Sequence, residues 1–142
     1  MKMTSTQKYL LSMAGEYGVC SEISKRGINA LITMGNAKAV DIFAVKPNGT
    51  VKTIEEKTTR GTRFVTGFFQ KYYDKSKPHP DYWVLVYIDK NNVSHYYVLT
   101  HQEMGNVQMQ RNNMSKWAEV PRGVDNVLLS NVKQFENQWG KI

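Results

Sequence analysis

Two short apolar runs flank Pro47-Asn48-Gly49-Thr50, and this arrangement limits the fold more than any other stretch of the chain. Proline presets the first turn angle, and Asn-Gly accepts the positive φ of a tight hairpin. "VDIFAV" before the turn and "VKTIEEK" after it therefore read as neighbouring antiparallel strands. Side chains two apart on a strand share a face, so Glu55 and Lys57 point the same way. The hairpin lays Asp41 close to them. Two carboxylates brought this close repel each other, and a hard divalent cation is the natural resolution. Mg²⁺ takes oxygen ligands of this kind and keeps several waters, with Mn²⁺ as a substitute. A neighbouring lysine can orient the attacking water or stabilise the charge of a developing phosphorane. These residue types point to metal-assisted hydrolysis of a phosphodiester.

The rest of the chain supplies elements around that hairpin. Thr6 to Arg26 reads as a helix capped by Thr4 or Ser5. Its apolar stripe is Leu10, Met13, Ala14, Tyr17, Cys20 and Ile23 or Ser24, and Gly27 ends it. "INALITM" is a first strand. From Thr58 to Pro80 the chain is basic and aromatic, and the pattern predicts a loop followed by a short helix near Gly67 to Lys75. "DYWVLVYID" and "VSHYYVL" form a second hairpin, and "THQE" is a capping box opening a helix at Thr100 and Glu103. Gln108 to Arg122 reads as irregular. "VDNVLL" is a last short strand, and "SNVKQFENQW" a closing helix capped by Ser130. The order gives one α/β domain over residues 1–142, with helices against a mixed sheet.

At Asp41, Glu55 and Lys57 the chain resembles the PD-(D/E)XK nuclease superfamily, with its restriction-endonuclease-like fold. Thirteen residues separate Asp41 from Glu55-x-Lys57. The look is nearest to the archaeal Holliday junction resolvases and related small nucleases. These carry a glutamate on the first helix, eleven residues before the glycine that ends it; here that is Glu16 before Gly27, with Glu22 the runner-up. The resemblance covers roughly Gly15 to Arg60, and more weakly "DYWVLVYID". It implies an αβββαβ core and an endonuclease that cuts DNA. Asp41 and Glu55 would hold Mg²⁺, Lys57 would act in catalysis, and Glu16 would assist the metal or its water. Val40 stands where the family name has proline. Glu56 is the larger departure, because that position is usually apolar. Alternation puts Glu56 on the face of Ile54, where an unpaired carboxylate costs several kcal/mol or becomes protonated. The alternative reading is therefore a nuclease-fold module that binds nucleic acid without cutting it.

Charge agrees with a nucleic-acid partner. The net charge is +7 over 142 residues, with 41% hydrophobic and 22% charged residues. Between Lys57 and Lys77 six basic residues face one acid, Asp74, with Phe64, Phe68, Phe69, Tyr72 and Tyr73 among them. Those rings are either ordinary core or a platform for an unpaired base. Lys38, Arg60, Arg63 and Lys71 are the candidate phosphate contacts. The three histidines lack zinc-ligand spacing and read as structural or surface residues. The lone Cys20 excludes an internal disulfide and fits a reducing compartment. With no apolar run near the roughly 18 residues of a spanning helix, the expectation is a cytoplasmic protein off the membrane. Two cuts in a duplex need two sites, so a homodimer is compatible with this reading. Duplex, junction, flap and single-stranded substrates, and RNA, all remain open.

Overall fold

The computed structural model describes residues 2–33, 40–74, 76–115 and 123–142. Helix α1 (Ser5–Lys25) opens at Thr4 in a full capping box with Gln7 and closes before Gly27, whose φ is +80°. Strands β1 (Asn29–Ile32), β2 (Ile42–Val45) and β3 (Val51–Thr59) form an antiparallel meander. Strand β4 (Arg63–Val65) and helix α2 (Phe68–Tyr72) follow, and then β5 (Tyr82–Ile88) runs parallel to β3. Strand β6 (Ser94–Thr100) pairs antiparallel with β5, and α3 (His101–Arg111) leaves from its end. Strand β7 (Asn126–Leu128) pairs with β4, and short 3₁₀ turns complete the chain.

The main sheet has the order β1-β2-β3-β5-β6, and β4-β7 is a separate ribbon. The fold is the expected mixed α/β one, a five-stranded mixed sheet with helices on both faces. Each central strand divides its side chains between two cores, as a two-sided sheet requires. Ile42, Ile54, Val84 and Val86 pack under α1 with Val19 and Ile23. Trp83 and Leu85 pack on the opposite face with Phe64, Phe68, Tyr72, Met104 and Val127 from the ribbon, α2 and α3.

The Pro47–Thr50 turn forms as its chemistry demands. Gly49 adopts φ +87°, Lys46 N donates to Thr50 O at 2.8 Å, and the Asn48 side chain accepts from Thr50 N. The Thr100–Glu103 capping box is also present. Several expectations need correction. Helix α3 runs to Arg111, so the segment taken as irregular begins helical, with Gln108 buried between Thr66 and the β7 backbone. The expected closing helix from Ser130 is a set of 3₁₀ turns. The buried face of α1 is also different. Ile23 of the expected stripe is buried, but Leu10 and Tyr17 are 59% and 60% exposed, and Gly15 and Val19 are buried instead. The reason is Gly15 and Gly18. A Cβ at Gly15 would strike Thr58 and Glu56, and one at Gly18 would strike the Tyr96 hydroxyl. The helix turns its side-chain-free flank to the sheet and approaches closely, which outweighs burial of the more apolar stripe.

Candidate active site

Asp41 sits one residue before β2, already held in the sheet: its N–H donates to Ile54 O at 3.0 Å, and its carbonyl accepts from Thr33 N at 2.9 Å. Its carboxylate Oδ2 accepts from Glu56 N at 2.8 Å. The acid is thus fastened to the peptide between Glu55 and Glu56, in the middle of the Glu55-x-Lys57 stretch. Burial raises the pKa of Asp41. The Glu56 N–H opposes that shift, the Glu55 carboxylate adds to it, and Lys57 and Lys71 pull it back.

Glu55 lies opposite Trp83 in the β3–β5 register and is 2% exposed. A carboxylate this deep needs donors, and it has them. The Tyr72 hydroxyl donates to Oε1 at 2.5 Å and Lys71 Nζ to Oε2 at 2.8 Å. Lys57 Nζ stands 3.7 Å from the same Oε2. Burial and the neighbouring Glu55 hold the Tyr72 phenol far above its ordinary value, so it remains a donor. Glu16, on α1, is pushed up to about 7, first by burial and then by the Asp41 carboxylate, with Lys57 opposing. Asp41, Glu55, Lys57 and Glu16 therefore share one electrostatic neighbourhood.

Glu56 points to the other side of β3, as alternation requires. It lies beneath Gly15 of α1 and is 4% exposed. The Thr58 hydroxyl donates to Oε2, while the buried Oε1 has no hydrogen-bond partner among the described residues. Burial pushes its pKa well above the carboxylate range, and Asp41 and Glu16 add to the shift.

Of the candidate phosphate contacts, Lys71 is drawn into the site as the ion-pair partner of Glu55. Arg60 directly follows β3, and its guanidinium donates to Asp89 O at 3.4 Å. Arg63 is exposed on β4. Lys38 lies outside the described residues. Phe64, Phe68, Phe69 and Tyr72 are core residues, and Tyr73 alone of those five rings is exposed, at 55%. The residue missed from sequence is Tyr72. Its spacing of four from Phe68 on a short helix marks a buried ring, and a buried phenol needs a partner.

Asp41 and Glu55 offer oxygen donors of the kind a hard divalent cation takes, and the Asp41 and Glu16 carboxyls, raised first by burial and further by a neighbouring carboxylate, are groups whose charged form such an ion would favour. Among the described residues no three His, Cys, Asp or Glu side chains gather as a metal cluster. An ion held by two carboxylates would complete its shell with water and substrate oxygens, as Mg²⁺ commonly does.

No family model matches the chain, and no curated protein matches it. Among solved structures it is similar to a bacterial homing endonuclease, I-Ssp6803I, with a TM-score of 0.51 and 13% identity over 71% of this chain and 68% of that one. At this identity the likeness is one of fold.

Proposed function

We propose that the chain is a divalent-metal-dependent endonuclease of the PD-(D/E)XK type that cuts DNA. The observation that carries the reading is the Asp41 carboxylate bonded at 2.8 Å to the peptide that follows Glu55, with the Lys57 ammonium 3.7 Å from Glu55 Oε2. The fold likeness to a homing endonuclease and the net charge of +7 support the same substrate class. Asp41 and Glu55 would hold the ion, and Mg²⁺ bound there supplies charge neutralisation at the scissile phosphate and a more acidic water. The chain's own groups do the rest. Lys57 sits where it can hold the attacking water or balance charge on the phosphate. Lys71 and Tyr72 fix the Glu55 carboxylate, and Glu16, with its pKa of about 7, can exchange a proton near neutral pH.

A second reading is a nuclease-fold module that binds nucleic acid without cutting it. It is favoured by the two donors already on the Glu55 oxygens and by the unsatisfied Glu56 Oε1. Nicking of supercoiled plasmid by the intact chain in Mg²⁺, Mn²⁺, Ca²⁺ and EDTA separates the two. Nicking in Mg²⁺ or Mn²⁺ that EDTA abolishes is the expected result. DNA binding with no nicking in any metal would give the second reading.

A further inference from the structure

The β4–β7 ribbon stands on the Glu55 face of the sheet and takes no part in the site described above. Strand alternation divides its side chains. Phe64 and Val127 enter the core, while Arg63 and Val65 on β4 and Asn126 and Leu128 on β7 take the outer positions. The register pairs Arg63 with Leu128 and Val65 with Asn126. The outer surface is therefore a checkerboard, polar along one diagonal and aliphatic along the other. Val65 is 70% exposed, more than any other large apolar residue described. Among the described residues no hydrogen bond or ion pair engages the Arg63 guanidinium. Asn126 is fixed by its oxygen, which accepts from Arg111 Nε at 3.3 Å, and its amide nitrogen is the donor end.

We propose that this surface enters the major groove of duplex DNA and reads base edges, a role that rests on the nuclease reading above. The side-chain types are those the groove calls for. Arginine pairs with guanine, asparagine with adenine, and aliphatic groups lie against the thymine methyl. A two-stranded ribbon fits a groove about 12 Å wide. Outward residues two apart on a strand lie about 6.6 Å from each other, close to two base-pair steps of roughly 3.4 Å, so the ribbon reads about three base pairs. Charge fits as well. Arg63 and Arg111 are cationic, and Asp125, the acid just before β7, is turned to α2, where its carboxylate accepts from Phe69 N at 2.8 Å and Gln70 N at 3.2 Å.

That last contact joins reading to cutting. Asp125 also accepts from Thr66 N and Gly67 N through its carbonyl, so the start of β7 is fastened to the start of α2. Helix α2 in turn carries the Lys71 and Tyr72 donors of Glu55. DNA docked on the ribbon is held in register with Glu55 through this short hydrogen-bonded chain.

The test is selection of binders from a randomised duplex pool, in Ca²⁺ and in EDTA, by the intact chain and by Arg63→Gln, Asn126→Ala and Arg60→Gln. The chain itself should enrich a short motif. Arg63→Gln and Asn126→Ala should each lose about 10-fold discrimination at one position of it. Arg60→Gln, a phosphate contact, should keep the motif and lower the slope of log K against log salt by about 1. Plasmid nicking without any enriched motif would overturn the ribbon's role and leave the nuclease standing. An enriched motif without nicking would do the reverse, and absence of both binding and nicking would remove both. Val65→Glu converting a dimer to a monomer with the motif unchanged would make this face a contact between copies and overturn the inference.

Discussion

Glu56 is the residue whose chemistry fits its place least well. It is buried under α1, and among the described residues its Oε1 has no partner and the one donor on Oε2 is a neutral hydroxyl. Glu56→Met keeps an unbranched side chain of similar bulk and removes the buried acid. It is expected to raise stability by about 1–3 kcal/mol, the cost of a poorly satisfied buried polar group. Denaturant melts check this, and a loss of stability would mean that Glu56 holds α1 in place. Glu16 makes a separate, pH-dependent statement. Its folded pKa of about 7 lies above the ordinary 4.5, so the folded state holds the proton more tightly than the unfolded one. The wild type is then free of this penalty below 4.5 and loses stability as pH rises towards 7. Glu16→Gln has no such titration. Relative to wild type it should gain stability across that interval and level off above it. A difference between the two proteins that stays flat from pH 4 to 8 would contradict the shift.

At the scale of elements, α1 shows where sequence patterning stops. The hairpin and its shared face were legible because turn chemistry and period-two alternation are local signals. The opposed orientations of Glu55 and Glu56 follow from that alternation alone. The face of α1 was not legible from its apolar stripe, because glycine adds no hydrophobicity yet sets how near the helix can come. Gly15→Ala tests this. Alanine favours an isolated helix by about 1 kcal/mol over glycine. Here its methyl would meet Thr58 and Glu56 on β3, and the expected outcome is a net loss of about 1–3 kcal/mol, as overpacking typically costs. A rise in thermal stability would show that α1 has room to shift. The pairing of β4 with β7 was hidden for another reason. Each strand is three residues long, and their partners lie more than sixty residues apart in the chain. The donors of Glu55 were also non-local, though nearer in the chain, since Lys71 and Tyr72 reach it only after the crossover to β5 sets α2 against the Trp83 face.

Across the whole molecule, β2 and β3 bring the acids together, α1 adds Glu16, and the β3-to-β5 crossover adds Lys71 and Tyr72. The crossover also carries the basic segment, so cationic charge lies beside the acids that would hold a cation. The central claim is that Asp41, Glu55 and Lys57 act as one hydrolytic unit. The most direct measurement is the Mg²⁺-dependent rate of plasmid cleavage at saturating protein for the wild type and for Asp41→Ala, Glu55→Ala and Lys57→Ala, with DNA binding measured beside it. Loss of a ligand or of the water-holding ammonium should lower cleavage by roughly 100-fold or more in each variant. DNA binding by Lys57→Ala should persist in part. A wild type that cuts DNA and an Asp41→Ala variant that cuts it equally well would contradict the account.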